Sequence, residues 1–115
     1  MTPERHAQYI YDNATQYAVA KSARIGCELK LKTAKAMIMR SVAGEFNQIA
    51  AQEREALVNP EYTKIIDDLT AAVCVEEEMK YKLEASRLSI DIWRTREASE
   101  RLGIRSHECN VPLVA

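Results

Sequence analysis

Residues 59–102 decide the fold of this chain, and they read NPEYTKIIDDLTAAVCVEEEMKYKLEASRLSIDIWRTREASERL. After Pro60 this stretch contains neither glycine nor proline. Asn59 is a favourable helix N-cap, Pro60 fits the first helical position, and Gly103 suits a helix end. The stretch therefore predicts a single helix of about 65 Å. Because an isolated helix gains most of its stability from packing, such a length requires a partner along its side.

The composition favours long helices in one domain. The chain has 115 residues, of which 47% are hydrophobic, with only three glycines and three prolines. Its formal net charge of −1 gives no overall attraction to nucleic acid or to an anionic membrane. No apolar run approaches the ~20 residues of a membrane span, and the N-terminus has no signal-peptide core. Three widely spaced cysteines predict reduced thiols, so we expect a cytoplasmic protein without membrane contact.

The N-terminal half is also predicted to be helical. Thr2, Pro3 and Glu4 form a good helix start, and helical periodicity continues to Val58, with weak points at residues 12–15 and 25–27. Gly44 is a third weak point, but one glycine need not end a helix.

Two adjacent apolar stripes run through this half: Leu29, Ala36, Met39, Ala43, Phe46, Ala50 and Leu57, and beside them Leu31, Ala34, Ile38, Val42, Ile49 and Ala56. So wide an apolar arc contacts more than one neighbour, either the N-terminal segment or a second copy of the chain. Self-association is the favoured interpretation.

The break at Asn59-Pro60 predicts how the helices are arranged. Proline disfavours helical backbone at the residue before it. The residues around the break are too few for a long loop, so the chain is expected to reverse there. We therefore predict an all-α, coiled-coil-like antiparallel helical hairpin with an additional N-terminal helix. Residues 1–103 would form this single domain with its turn at 59–60, followed by an irregular tail over 104–115.

The second helix carries an apolar seam with two polar interruptions. Spacings of three and four connect Tyr62, Ile65, Leu69, Ala72, Met79, Leu83, Ile90 and Trp93. Glu76 and Ser86 interrupt this row. They are either exposed breaks in the seam or buried polar layers that set the register. Trp93 is interpreted as core, with an exposed interface anchor as the alternative.

Charge is distributed unevenly along the chain. Residues 44–79 contain nine acids and two bases, whereas residues 21–43 and 80–105 are mainly basic. A hairpin that turns at 59–60 would place the two basic segments side by side and the acidic one at the turn. The candidate nucleic-acid contacts are the basic residues Lys80, Arg87, Arg94, Arg101, Lys32 and Lys35. The first four repeat every seven residues and could follow a phosphate backbone. A solvated face, or a flanking coiled-coil position, explains the same spacing.

No arrangement of residues in the sequence supports catalysis. Only His6 and His107 are present, and no Glu-x-x-His pair occurs on a helix. We therefore expect no enzyme, no catalytic residues, no metal, no cofactor and no small-molecule substrate. The candidate partner-interface residues are Trp93, Glu76, Glu77 and Glu78.

Two segments resemble small helical proteins encoded in the early or recombination regions of temperate phages. They are Pro60-Glu61-Tyr62 and the later helix with Trp93, Arg94, Thr95, Ala98 and Arg101. The resemblance implies an accessory protein that acts on phage or host DNA-handling machinery, and it transfers no functional residue.

The leading functional expectation is a non-enzymatic, phage-encoded adaptor in the bacterial cytoplasm. It would form homo-oligomers and bind a protein of DNA metabolism or host defence. A recombination accessory that binds DNA through a basic helical face is the alternative. An inhibitor that mimics nucleic acid with its acidic residues is the third.

Overall fold

Three α-helices make up the described chain. The computed structural model describes the backbone of residues 1–110 and the side chains of residues 1–103. The helices are α1 (Pro3–Val42), α2 (Ile49–Val58) and α3 (Pro60–Asn110), and no strand occurs among the described residues. The all-α helical hairpin is therefore confirmed, with α1 and α3 as its arms.

The predicted helix starts are confirmed by their capping contacts. The hydroxyl of Thr2 accepts a hydrogen bond from the Arg5 backbone N–H at 3.3 Å. At the second start, the side-chain oxygen of Asn59 accepts one from the Glu61 backbone N–H at 2.9 Å. The extended backbone of Asn59, with φ −70° and ψ 131°, separates α2 from α3. Each cap satisfies an amide that the first helical turn leaves without a partner.

The position of the chain reversal differs from the prediction. The first arm was expected to continue to Val58, but α1 ends at Val42, and Phe46 donates its backbone N–H to the Val42 carbonyl at 2.9 Å. Conversely, α1 is continuous through residues 12–15 and 25–27, because isolated poor helix formers cost too little to end a well-packed helix. The additional helix is consequently α2, between the arms, and not a separate N-terminal helix.

At the other end, α3 continues past Gly103 to Asn110, so residues 104–110 are not irregular. Residues 111–115 lie outside the described part.

The chain divides into two compact units. We call Thr15–Lys80 the central unit, and Met1–Ala14 with Tyr81–Ala115 the terminal unit. In the central unit, α1 and α3 are antiparallel, since Arg24 contacts Glu76 whereas Ile38, later in α1, packs with Tyr62, earlier in α3. The seam side chains of α3 in this unit are buried or half-buried, as predicted: Tyr62, Ile65, Leu69, Ala72, Glu76 and Met79.

The core of the central unit is small and lies near α2. Ala56 of α2 is fully buried against Ile38 and Tyr62, and Leu31 and Met39 pack around this cluster. The predicted stripe that includes Leu31 and Ile38 therefore faces the core at Leu31, Ile38 and Ala56, whereas its member Ile49 is 67% exposed. The other stripe faces it only in part, since Met39 packs there whereas Leu29 remains 58% exposed.

In the terminal unit, the N-terminal part of α1 packs against the later part of α3. Leu83 and Ser86 are buried, and Ile90 is half-buried. Because His6 lies beside Ser86, while Met1 and Pro3 lie beside Trp93, this pair is antiparallel as well.

Candidate interaction surfaces

A charged layer crosses the helix contact of the central unit. Arg24 of α1 donates through Nε and Nη2 to the two carboxylate oxygens of Glu76 of α3, the Nη2 contact measuring 3.2 Å. Its Nη1 also donates to Glu28 at 3.0 Å. Glu76 is buried, with 6% of its surface exposed. Because both carboxylate oxygens are bound in a forked geometry, this buried charge is satisfied.

The pair changes the acidity of both groups. Hydrogen bonding by Arg24 is the main reason that the pKa of the Glu76 carboxyl lies below its ordinary value, with partial burial opposing the shift. The same hydrogen bonds raise the pKa of Arg24. Both groups are therefore charged across the physiological range.

The second interruption of the seam is buried too. The hydroxyl oxygen of Ser86 lies 3.4 Å from Nδ1 of His6 in the terminal unit, and Ser86 is 6% exposed. Of the two interpretations of Glu76 and Ser86, the structure supports buried polar layers and contradicts exposed breaks. Both layers join α1 to α3 at a defined register.

The acidic triplet does not form one surface. Glu76 points into the helix contact, Glu77 is half-buried and Glu78 is exposed. Since successive helical residues point about 100° apart, three neighbours cannot share one face. The structure therefore separates these predicted partner-contact residues.

The predicted meeting of the two basic segments is wrong. Because α1 ends at Val42, its basic residues 21–43 lie in the central unit with acidic residues of α2 and α3. Arg24 binds Glu76, and Lys35 contacts Glu53 at 3.8 Å. The central unit contains nine bases and ten acids, and the terminal unit seven of each. Neither unit is basic overall.

The predicted basic residues of α3 remain accessible. Arg87, Arg94 and Arg101 are exposed in the terminal unit, and Lys80 and Lys32 are exposed in the central unit. Lys35, in contrast, is half-buried beside Glu53. The seven-residue spacing keeps the three arginines near one line along the helix, because seven residues rotate the side-chain direction around the helix axis by only about 20° from two full turns.

Trp93 is not a core residue. It is 43% exposed and lines a depression of about 260 Å³ with Met1, His6 and Arg96. This places it at the rim of the terminal unit, in agreement with the alternative interpretation of an exposed aromatic.

Helix α2 directs apolar side chains outward. Ile49, Leu57 and Val58 are 67%, 54% and 71% exposed, and we call these three residues the α2 surface. Meanwhile Gln52, Glu53 and Glu55 are half-buried. A surface helix normally has the reverse arrangement.

A second apolar surface lies along one side of the α1/α3 pair in the central unit. It contains a groove of about 820 Å³ beside Leu29, Met37 and Ile65, and one of about 350 Å³ between Val19, Ala23 and Val75. We call this surface the open flank, and it comprises Val19, Ala23, Leu29, Thr33 and Met37 of α1 with Ile65, Ala71, Ala72 and Val75 of α3. On α1 it lies opposite the contacts with α2, because Lys35 and Met39 each point about 160° away from Met37, and its larger groove reaches Asn59 and Pro60 at the end of α2.

The sequence interpretation missed Arg24, His6 and the open flank. The sequence contained one signal for Arg24. It lies seven residues from both Tyr17 and Leu31, so the three side chains lie on the same side of α1. For the open flank the signal was partial: Leu29 belongs to the wide apolar arc of the sequence, whereas the alanines and valines there resemble ordinary core positions.

No protein-family model, curated protein or solved structure matches the chain. Within the described residues, no helix carries an apolar segment of the length needed to cross a bilayer. In the same part of the chain, no three His, Cys, Asp or Glu side chains are grouped as metal ligands.

Proposed function

We propose that this chain is a non-enzymatic helical adaptor that binds a protein partner through the α2 surface. The observation that carries the proposal is the orientation of α2, whose large apolar side chains are exposed while three of its four polar ones, all except Arg54, are half-buried. Single exposed apolar residues are common, but Ile49 and Leu57 lie about two turns apart and only about 80° apart around a ten-residue helix, so they share one face and form a patch that Val58 extends at the helix end. Such patches are typical of protein interaction sites.

The charge around this patch indicates the chemistry of the partner. Residues 44–61 contain four acids and one base, a net charge of −3. A complementary segment would present apolar side chains flanked by lysine or arginine. The resemblance of Pro60-Glu61-Tyr62 and the Trp93 helix to phage accessory proteins supports a partner from DNA metabolism or host defence, in the bacterial cytoplasm.

The proposal is tested by affinity capture from nuclease-treated lysate of the bacterial host, followed by reconstitution with the purified captured protein. Leu57→Glu should abolish binding, since a carboxylate would then face the apolar contact. Leu88→Glu is the matched control, because Leu88 is a similarly exposed leucine at 60%. Equal binding of both variants, or no reconstituted complex, would reject the α2 surface as the binding site.

The exposure of Arg87, Arg94 and Arg101 supports a second candidate function, nucleic-acid binding by the terminal unit. Its weakness is the balanced charge of that unit, which gives little long-range attraction. The third expectation, a nucleic-acid mimic built on Glu76 to Glu78, stays a prediction, and the engagement of Glu76 with Arg24 leaves it only Glu77 and Glu78 of the triplet.

A further inference from the structure

We propose that the open flank of the central unit is the contact between two copies of this chain, which join their α1/α3 pairs into a four-helix arrangement. The contact is distinct from the α2 surface, and the inference does not depend on the proposed adaptor function. It rests on the exposed area, on the residues that line the flank and on their charges.

The first observation is the amount of surface that the chain exposes. Its accessible surface is 8950 Å², whereas a compact monomer of 13.0 kDa exposes about 6300 Å². The difference is roughly 2600 Å² per chain, and permanent dimers bury about 2000–5000 Å² in total. This excess is spread over the whole chain and is large enough for a stable interface between two copies, and the lining residues and charges decide where that interface lies.

The second observation is that the flank is lined by exposed valines and small residues. Val19 and Val75 are 64% and 52% exposed, and Ala23 and Ala71 are exposed beside them. Alanine at these positions allows another helix to approach closely, and the valines supply apolar area to be buried.

Gly26 is the third observation. It follows Val19 by seven residues and precedes Thr33 by seven, so it lies on the same stripe of α1 as these two lining residues. Glycine within a helix costs about 1 kcal/mol relative to alanine. A Cβ at Gly26 would meet no atom within 4 Å, so this chain by itself gives no reason for a glycine. The backbone of a second copy, packed against the flank, would supply that reason.

The charges at the rim make the flank complementary to itself. Lys30 of α1 and Glu61 of α3 both line the larger groove, and Asp68 lies between Glu61 and Val75 at seven-residue spacing. In a twofold contact the same patch serves both copies, so α1 of one can face α3 of the other. Lysine on one helix and acids on the other favour this pairing.

The inference is tested on the purified full chain by size-exclusion chromatography with light scattering over a concentration series. The wild type should be a dimer. Val75→Glu should raise the dimer dissociation constant by at least about a hundredfold, because it places a carboxylate in the apolar contact. Val73→Glu is the matched control: it lies two residues away on α3, points about 160° from Val75, and should remain dimeric.

A second variant separates loss of the interface from loss of the fold. A Cβ at Gly26 meets no atom within 4 Å in the single chain, so we use Gly26→Trp to block the dimer; helical circular dichroism equal to that of the wild type then shows that the fold is kept. A monomeric wild type at all concentrations would overturn the inference. So would a dimer that tolerates Val75→Glu and Gly26→Trp as well as it tolerates Val73→Glu. Leu57→Glu should leave the dimer intact, so failure of the α2 proposal and failure of this one give different results.

Discussion

Arg24 of α1 and Glu76 of α3, 52 positions apart in sequence, bind each other through two guanidinium nitrogens and both carboxylate oxygens. The contact places a satisfied charge pair inside an otherwise apolar seam. Moving one helix along the other by a single turn would leave Glu76 buried without its partner, which is strongly unfavourable. We infer that the pair selects the register of the central unit.

Removal of one member of this pair should destabilise the protein more than loss of an exposed charge. We expect Arg24→Met to lower the melting temperature clearly, because it leaves the Glu76 carboxylate buried without its forked donor. Lys32→Met, an exposed base on the same helix, is the control and should change the melting temperature little. The measurement is thermal unfolding by circular dichroism.

Exchange of the two charges tests whether the pairing itself matters. Arg24→Glu combined with Glu76→Arg should be more stable than the sum of the single effects predicts, since the pair is restored in reverse. Additive effects in this double-mutant cycle would contradict a direct coupling.

The same pair makes stability depend on acid pH. The pKa of Glu76 is lowered in the folded chain from an ordinary value of 4.5, so the native state holds its proton less tightly than the unfolded state. The stabilisation is therefore complete above about pH 4.5 and is lost as pH falls through the lower folded-state pKa. Melting temperatures of the wild type and Glu76→Gln, measured from pH 7 downward, should converge as the acid range is entered. A constant difference at all pH values would argue against this assignment.

Leu83 should be a principal stabilising residue of the terminal unit. It is 7% exposed, so Leu83→Ala is expected to cost about 2–4 kcal/mol of unfolding free energy. Leu88→Ala, five residues later on α3, removes an exposed leucine and should cost less than about 0.5 kcal/mol. Urea unfolding measures both values, and similar losses would show that Leu88 is covered in solution.

Asn59 should stabilise the start of α3. Asn59→Ala removes the acceptor for the Glu61 amide and should cost about 1 kcal/mol, whereas Asn59→Asp keeps an acceptor and should cost less. Chemical denaturation of the two variants measures the loss of unfolding free energy in each. Equal losses would indicate that the side-chain cap contributes little.

Nucleic-acid binding by the exposed arginines predicts a steep dependence on salt. The wild type would then retard DNA in a gel at low salt, and Arg87→Glu with Arg94→Glu would abolish the shift. The control is Glu84→Lys with Asp91→Lys, which adds positive charge to the same helix and should strengthen a purely electrostatic contact. Absence of any shift with the wild type at low salt would reject this candidate function.

Local sequence predicted two of the three helix starts, those of α1 and α3, but missed the start of α2 at Ile49 and predicted the helix ends poorly. Thr2 and Asn59 cap their helices through contacts within three residues, so neighbouring residues are enough to identify them. The end of α1 at Val42 lies two residues before Gly44, a weak point that the sequence indicated without deciding, and α3 continues past Gly103, where an end was predicted. One glycine changes helix stability by only about 1 kcal/mol, so packing decides whether a helix ends beside it.

The residues that form the candidate surfaces were harder to predict from the sequence than the helix boundaries, because their exposure depends on tertiary structure. The acidic triplet was visible in sequence, but the engagement of Glu76 with Arg24 was not, because the two residues are far apart along the chain. Likewise, the exposure of Leu57, Val75 and Met37 cannot be distinguished from burial by residue type alone.

The sequence by itself determined the helical class, the break before Pro60 and the seam of α3 as far as Ile90, since each follows from backbone preferences and apolar spacing within a few turns. Only the tertiary structure decided which part of α1 faces which part of α3. That choice depends on where the chain reverses, and a shift of the reversal toward residues 43–48 placed the basic half of α1 beside acids instead of bases. The physical reason is that register is set by non-local contacts such as Arg24 with Glu76, whose energy no local pattern contains.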